Sequence, residues 1–283
     1  MRGILFYDEA GARRNAWFID RMISVAESLG SELKLAVIRD TESALMHLDP
    51  LPDYAIVRTI LPQLNEALEK RHIPTFNNAK TARIANSKWL TYLYARALYI
   101  PAMDTERVRT HEDISKIKSY PRVVKTVDGH GGSEVFLVKN ATECKELLAL
   151  HPQKEFVSQE LSSEPGVDMR VYVLGGEILA AVKRTSSSDF RSNFSLGGTA
   201  DLTSVDEKVE GYVSRVANDL GCDLVGIDFI RHNGEWVLNE IEDSVGTRML
   251  YSLTDLDAAE IYTRYVIAKV QEHNAAKYKN SAS

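Results

Sequence analysis

Val123-Val124-Lys125-Thr126-Val127-Asp128-Gly129-His130-Gly131-Gly132-Ser133 carries the most information about fold. A β-branched run ends in a lysine and opens into a loop with three glycines, and residues 134–138 read as a returning strand. Such a hairpin lets backbone amides approach phosphate oxygens while an ammonium supplies charge, which makes a nucleotide phosphate its natural ligand. The same glycines would also serve a strained turn, so the loop has to be weighed with its neighbours.

Upstream, Ile4-Leu5-Phe6-Tyr7 reads as a first strand. Phe18, Met22, Val25 and Leu29 recur at helical spacing, with Gly30 where a helix C-cap stands. Residues 33–38 and 54–57 read as further strands, and residues 61–70 as a helix before the short segment Ile73-Pro74-Thr75-Phe76. This alternation predicts an α/β domain with a largely parallel sheet over residues 1–84. A helix from Ser87 carries Leu90, Tyr94 and Leu98 on one face and should end before Pro101.

Downstream, residues 170–174 and 177–182 flank Gly175-Gly176, a two-residue hairpin turn, so this sheet should be antiparallel. Val209, Tyr212, Val216 and Leu220 mark an amphipathic helix, followed by strands at 224–230 and 236–241 around Asn233-Gly234. The polar end, residues 276–283, is expected to fray.

The chain has 283 residues, enough for one or two cores at about 150 residues per domain. With 44% hydrophobic and 26% charged residues and no apolar run of membrane length, the expectation is a soluble cytoplasmic protein without an export signal or membrane partner. A net charge of −6 has the wrong sign for general attraction to nucleic acid. Cys144 and Cys222, far apart and without metal-ligand spacing, point to neither a disulfide framework nor a zinc site.

Two acidic segments bear on chemistry: Gly226-Ile227-Asp228 and Asn239-Glu240-Ile241-Glu242. Strand alternation puts Glu240 and Glu242 on one face, where carboxylates beside a phosphate loop suit magnesium; a solvated sheet face is the plain alternative. A regular two-residue turn at Asn233-Gly234 would set Asp228 opposite Asn239, so a bulge is expected if Asp228 and Glu240 are to share a cation. Arg191-Ser192-Asn193, between a serine-rich stretch and Gly197-Gly198, reads as a loop presenting a cation and two hydrogen-bonding groups.

From about Asn77 to Tyr265 the set resembles the RimK-type branch of the ATP-grasp superfamily, the carboxylate-amine ligases that include α-L-glutamate ligases. The matching pieces are Asn86-Ser87-Lys88, Val123-Val124-Lys125 with its loop, Gln159-Glu160, Asp168-Met169-Arg170, Asp189-Phe190-Arg191-Ser192-Asn193, and Gly226-Ile227-Asp228 with Asn239-Glu240. The resemblance implies an α/β and α+β chain: an N-terminal pre-ATP-grasp domain (1–84), a lid with the glycine-rich loop (85–160), and a larger antiparallel subdomain with the metal acids (161–275). It implies ATP contacts from Lys88, Lys125, Gly131, Gly132, Ser133, Arg191, Ser192 and Asn193, adenine at a hinge of Gln159, Glu160 and Leu161, and ribose at Asp168. Magnesium, replaceable by manganese, would lie on Asp228 and Glu240, with Glu242 where the family usually has Asn.

Arg191, Lys183, Arg184 and Arg248 are the cations expected near the reacting groups, with a solvated strand end as the alternative for Lys183 and Arg184. The implied reaction is amide or peptide formation through an acyl-phosphate, releasing ADP and phosphate, with glutamate ligation as one candidate. The partner would be an amino acid, a peptide or a carrier-protein acceptor, and a homo-oligomer is compatible with it. Rivals are an ATP-grasp kinase and a nucleotide-binding regulator without turnover.

Overall fold

The computed structural model describes residues 1–132, 134–186, 189–190 and 198–281, with side chains described as far as residue 276. The first layer is built from β1 (Arg2–Tyr7), α1 (Glu9–Arg14), α2 (Ala16–Ser28), β2 (Glu32–Val37), α3 (Thr41–Leu45), β3 (Tyr54–Val57), α4 (Pro62–Glu69) and β4 (Thr75–Phe76). Its strands run parallel in the order β2-β1-β3-β4. Parallel strands covered on both faces read as continuous apolar runs, which is why Ile4, Leu5, Phe6 and Tyr7 are all buried. Asp8 closes β1 and caps α1 by accepting from the Gly11 amide at 2.7 Å.

Next come α5 (Ala79–Ala85) and α6 (Lys88–Ala97). Ser87 caps α6 and places Lys88 at its first helical position. The lid expected over residues 85–160 would include α6, but Tyr94 and Ala95 join the core formed with the C-terminal sheet, and the Tyr94 hydroxyl donates to Asp219 at 2.9 Å. The apolar face of α6 finds more surface to cover there than on the lid.

The lid sheet comprises β5 (Thr105–Val108), β6 (Arg122–Thr126), β7 (Val135–Val138) and β8 (Phe156–Glu160), with α7 (His111–Lys116) and α8 (Ala141–Leu150) packed on one face. Its antiparallel order is β5-β8-β6-β7. Val124, Val138, Phe156, Ile114 and Leu147 form that buried side, which leaves Val123, Lys125 and Gln159 for the opposite face.

The third sheet has the order β11-β10-β9-β12-β13, from β9 (Val167–Leu174), β10 (Glu177–Thr185), β11 (Thr199–Thr203), β12 (Leu224–His232) and β13 (Glu235–Glu242). α9 (Glu207–Leu220) buries Val209, Val213 and Val216 against Met169, Val171, Ile227 and Phe229 on one face, so the polar side chains of the same strands go to the other. α10 (Arg248–Leu253) and α11 (Ala258–Ser281) follow. α11 returns to the first domain, packing Tyr262, Val266 and Val270 with Phe18 and Met22. α11 continues to Ser281, with Ala275 and Ala276 favouring helix beyond the part anchored by packing. Among the described residues no helix is long and apolar enough to cross a membrane.

Asp223, at the entry to β12, is buried where three elements meet: its amide donates to the Asn77 side chain at 2.6 Å and its carboxyl accepts from Tyr265 at 2.9 Å. Burial pushes the carboxyl up to about 7, against the opposing pull of Tyr265 and Lys269. A folded value above the unfolded one means the native state holds the extra proton, so stability falls as pH rises from the ordinary aspartate range through about 7. Asp223→Asn should therefore flatten this part of the profile, recovering roughly 2–4 kcal/mol at pH 8 relative to pH 4 in urea melts. An unchanged slope would show that the carboxyl is ionised at no cost.

Candidate active site

The site begins with a hairpin whose register had to be irregular. Asn233 and Gly234, both at positive φ (51° and 76°), make a two-residue turn between His232 and Glu235. A bulge after Asp228 absorbs one residue of β13, so Asp228 lies opposite Glu240 instead of Asn239, as strand parity demands of two groups meant to face one ligand. On its other side Asp228 pairs with Arg170 of β9, and Arg170 with Val182 of β10. Arg170, Asp228 and Glu240 thus cross the sheet in one row.

Charge pairing organises the row. Arg170 donates twice to Asp228, at 2.7 Å each, and once to Glu242 at 2.5 Å. Arg184, one step along, donates to both oxygens of Asp168 and to Asp228 at 2.8 Å. Gly226 makes room for this: a Cβ there would sit 2.6 Å from Val245 and 3.4 Å from Arg170. Burial alone would push Asp228 up, but Arg170 and Arg184 outweigh it and hold the carboxyl down at about 2. Glu242 goes the other way: burial raises it more than Arg170 lowers it.

Across the gap stand two ammonium groups, Lys125 on β6 of the lid and Lys88 at the start of α6. Lys125, buried, donates to the Asn239 amide oxygen at 2.9 Å, so the extra residue of the bulge is what meets the lid. Lys88 binds the Gly129 carbonyl and stands 3.5 Å from Glu240. Burial lowers Lys125 to about 8, with Glu240 opposing the shift and Lys88 adding to it. Glu240 itself is lowered, its burial being overcome by Lys88 and then Lys125. Gly131 and Gly132, at φ of 67° and 78°, use backbone geometry that side chains disfavour, as a phosphate-cradling loop requires.

Two cavities meet here. One runs between the lid and the third sheet, lined by Val123, Lys125, Gly131, Gln159, Glu160, Leu161, Asp168, Asp228 and Glu240. The other, about 610 Å³, opens towards the first domain and includes Tyr7, Arg58, Asp243 and Arg248. Gly131, Arg170 and Glu242 border both.

Residues 97–266 match the family model of the RimK-like ATP-grasp domain, more than half of the chain. The chain belongs to the RimK-like ATP-grasp family. A Mycoplasma pneumoniae relative, an uncharacterized protein known as the MG011 homolog, is 33% identical over 193 residues, 67% of this chain and 66% of its own length. The chain therefore spans just under two thirds of that relative. The glutamate–LysW ligase ArgX of Sulfolobus acidocaldarius is 29% identical over 245 residues, 77% of this chain and 86% of its own length. Among solved structures, D-alanine–D-alanine ligase from Bacillus anthracis complexed with ATP has a TM-score of 0.72 at 13% identity, covering 98% of this chain and 99% of the ligase, a likeness of fold.

The structure brings together Lys88 and, within the matched domain, Lys125, Gly131, Gly132, Gln159, Glu160, Leu161, Asp168, Arg184, Asp228, Glu240 and Glu242 around the first cavity or its ion pairs, while Arg248 borders the second. Lys183 is a correction. Neighbouring strand residues point to opposite faces, so with Arg184 turned into the site Lys183 is exposed on the other side. Ser133, Arg191, Ser192 and Asn193 lie outside the described residues.

For magnesium, the carboxylates of Asp228, Glu240 and Glu242 fit in kind, being hard oxygen donors on paired strands. They are not a closed cage: among the described residues no three His, Cys, Asp or Glu side chains converge to hold a metal ion, and Arg170 stands between Asp228 and Glu242. That suits an ion which takes one or two carboxylates and completes its shell with water and phosphate oxygens.

Sequence reading gave no role to Arg170 or Arg58. For Arg170 the signal was an arginine at the same strand parity as Asp168 in a buried strand. For Arg58 it was position: Tyr7, Asp8 and Arg58 stand at the carboxyl ends of parallel strands, where ligands of open α/β sheets bind.

Proposed function

We propose that the protein is an ATP-dependent carboxylate-amine ligase that forms an amide or peptide bond through an acyl-phosphate. The observation that carries this reading is the approach of Lys88 to Glu240 and of Lys125 to the neighbouring Asn239 across a cavity also lined by Asp228. Cations from the lid and from α6 and carboxylates from the sheet then face one narrow space, the arrangement phosphoryl transfer needs to hold and neutralise a triphosphate. Glu160 and Leu161 at the end of β8 would border adenine, and Asp168, oriented by Arg184, the ribose.

In the reaction a substrate carboxylate oxygen attacks the γ-phosphorus and ADP leaves. The amine then attacks the acyl carbon, loses a proton, and phosphate departs with the carboxylate oxygen. Lys88 and Lys125 neutralise charge spreading on the transferred group, and the closed lid excludes water that would hydrolyse the acyl-phosphate. Asp228, Glu240 and Glu242 are the carboxylates from which one or two would hold magnesium, which when bound would supply positive charge to the phosphoryl group. The donor and acceptor are proposed to be small amino acids or the end of a peptide, with glutamate as the first candidate.

Release of ADP should depend on a pair of substrates, which a screen of amino acids and short peptides, singly and in pairs with magnesium, would show. Release with one component alone would favour a kinase; binding of ATP with no release in any pairing would favour a regulator. The lid makes a separate expectation. Residues 129–132 should gain amide protection from hydrogen exchange when ATP and magnesium are added together, because bound phosphate oxygens would accept from the backbone amides of the glycine loop. Equal protection in both states would contradict closure.

A further inference from the structure

The second cavity contains more hydrogen-bonding capacity than its protein partners use. Arg58, one residue beyond β3, is 8% exposed; its Nη2 donates to the Val245 carbonyl at 2.6 Å, but its Nε and Nη1 meet no acceptor. The Tyr7 hydroxyl at the end of β1 and the Ser244 hydroxyl are likewise buried without a hydrogen-bond partner. All three side chains line the same cavity, together with Arg14 and Arg248, which form no ion pair among the described residues. Buried polar groups are satisfied almost without exception, so a guanidinium and two hydroxyls left open around one space point to a ligand that completes them.

The nearby acids do not fill this role. Asp8 is committed to the Gly11 amide and accepts from Thr59 at 3.1 Å, Glu242 is held by Arg170, and Asp243, which lines the same cavity and attracts Arg58, forms neither an ion pair nor a hydrogen bond with it among the described residues. The complement of an arginine fork with flanking hydroxyl donors is a carboxylate, which accepts two parallel N–H bonds. Gly131, Arg170 and Glu242 border both cavities, so a small molecule anchored at Arg58 extends towards the groups that face the nucleotide.

We propose that Arg58, with Tyr7 and Ser244, is the seat of a substrate carboxylate that is not consumed in ligation, so that the first domain selects amino acids or dicarboxylic acids over their amides. This rests on the ligase reading for the word substrate; the carboxylate site itself does not. The carboxylate belongs either to the α-position of an amino acid or to an acidic side chain, and the test separates the two.

L-Glutamate, its α-amide and L-glutamine would be titrated calorimetrically into the wild-type chain and into Arg58→Gln, Arg58→Lys and Tyr7→Phe, with thermal melts to confirm that each variant is folded. The expected result is that glutamate binds the wild type, that one of the two amides binds about 100-fold more weakly, and that Arg58→Gln weakens glutamate by a similar factor while no longer distinguishing it from that amide. Arg58→Lys should recover part of the loss, and Tyr7→Phe should weaken glutamate severalfold in a chain with unaltered packing. Loss with the α-amide identifies the α-carboxylate; loss with glutamine identifies the side chain. The inference is overturned if the wild type does not bind glutamate, binds both amides as well as glutamate, or loses nothing on Arg58→Gln or Tyr7→Phe. Arg58-dependent binding without ADP release in any substrate pair would retain the site and remove the ligase reading, whereas ligation indifferent to Arg58 would do the reverse.

Discussion

Glu240→Gln should lower ATP-dependent turnover by about 10²- to 10³-fold while leaving the fold intact. The substitution keeps the shape of the side chain and removes one charge at the point where lid and sheet meet. Glu240 is the carboxylate nearest Lys88, at 3.5 Å, and the group that supports the charge of the buried Lys125. Losing it removes a proposed magnesium ligand and the charge that opposes the lowering of Lys125 by burial, so the Lys125 ammonium falls further. Both changes weaken charge stabilisation in the transition state more than in the ground state, so kcat should carry the loss. Steady-state kinetics at saturating magnesium checks it, and wild-type turnover would remove Glu240 from the metal site.

Arg170→Met should cost about 3–5 kcal/mol of stability in urea or guanidinium melts without ligands. Among the described residues Arg170 is the one cation paired with Glu242 and one of two paired with Asp228; Arg170 and Asp228 are buried and Glu242 is half-buried. Methionine fills much of the same volume but leaves Glu242 without a cation at a position where burial already raises it. Asp228 would retain Arg184, which bounds the loss. The variant should also gain more from added magnesium than the wild type does, because a divalent cation supplies the missing charge. A change of under about 1 kcal/mol would mean that the carboxylates are satisfied by water instead.

Much of this architecture is legible in the sequence because it is local. The strand from Arg122 to Thr126, its glycine loop and the returning strand follow from β-branched residues and turn chemistry within one stretch. The bulge beside Asp228 followed from parity alone, since two acids can face one ligand across a two-residue hairpin only if one strand gains a residue. The charge network was not legible in the same way. Arg170 meets Asp228 and Glu242 from a strand more than fifty residues away, and pairing across three strands has no sequence period to announce it. The same limit hid Arg58, whose open guanidinium is evident only when its neighbours in the second cavity are known. Lys183 and Arg184 show the converse: adjacent in sequence and alike in charge, they are separated by strand alternation, and only Arg184 turns inward.

The central claim is that a carboxylate is activated by the γ-phosphate of ATP. It is tested most directly with the substrate pair found by ADP release, using a donor labelled with ¹⁸O in its carboxylate and following the products by ³¹P NMR. Attack of the carboxylate oxygen on the γ-phosphorus, followed by displacement at carbon, transfers that oxygen to phosphate. The account predicts ADP together with inorganic phosphate carrying one ¹⁸O. Label in AMP with release of pyrophosphate, or phosphate free of label, would contradict it.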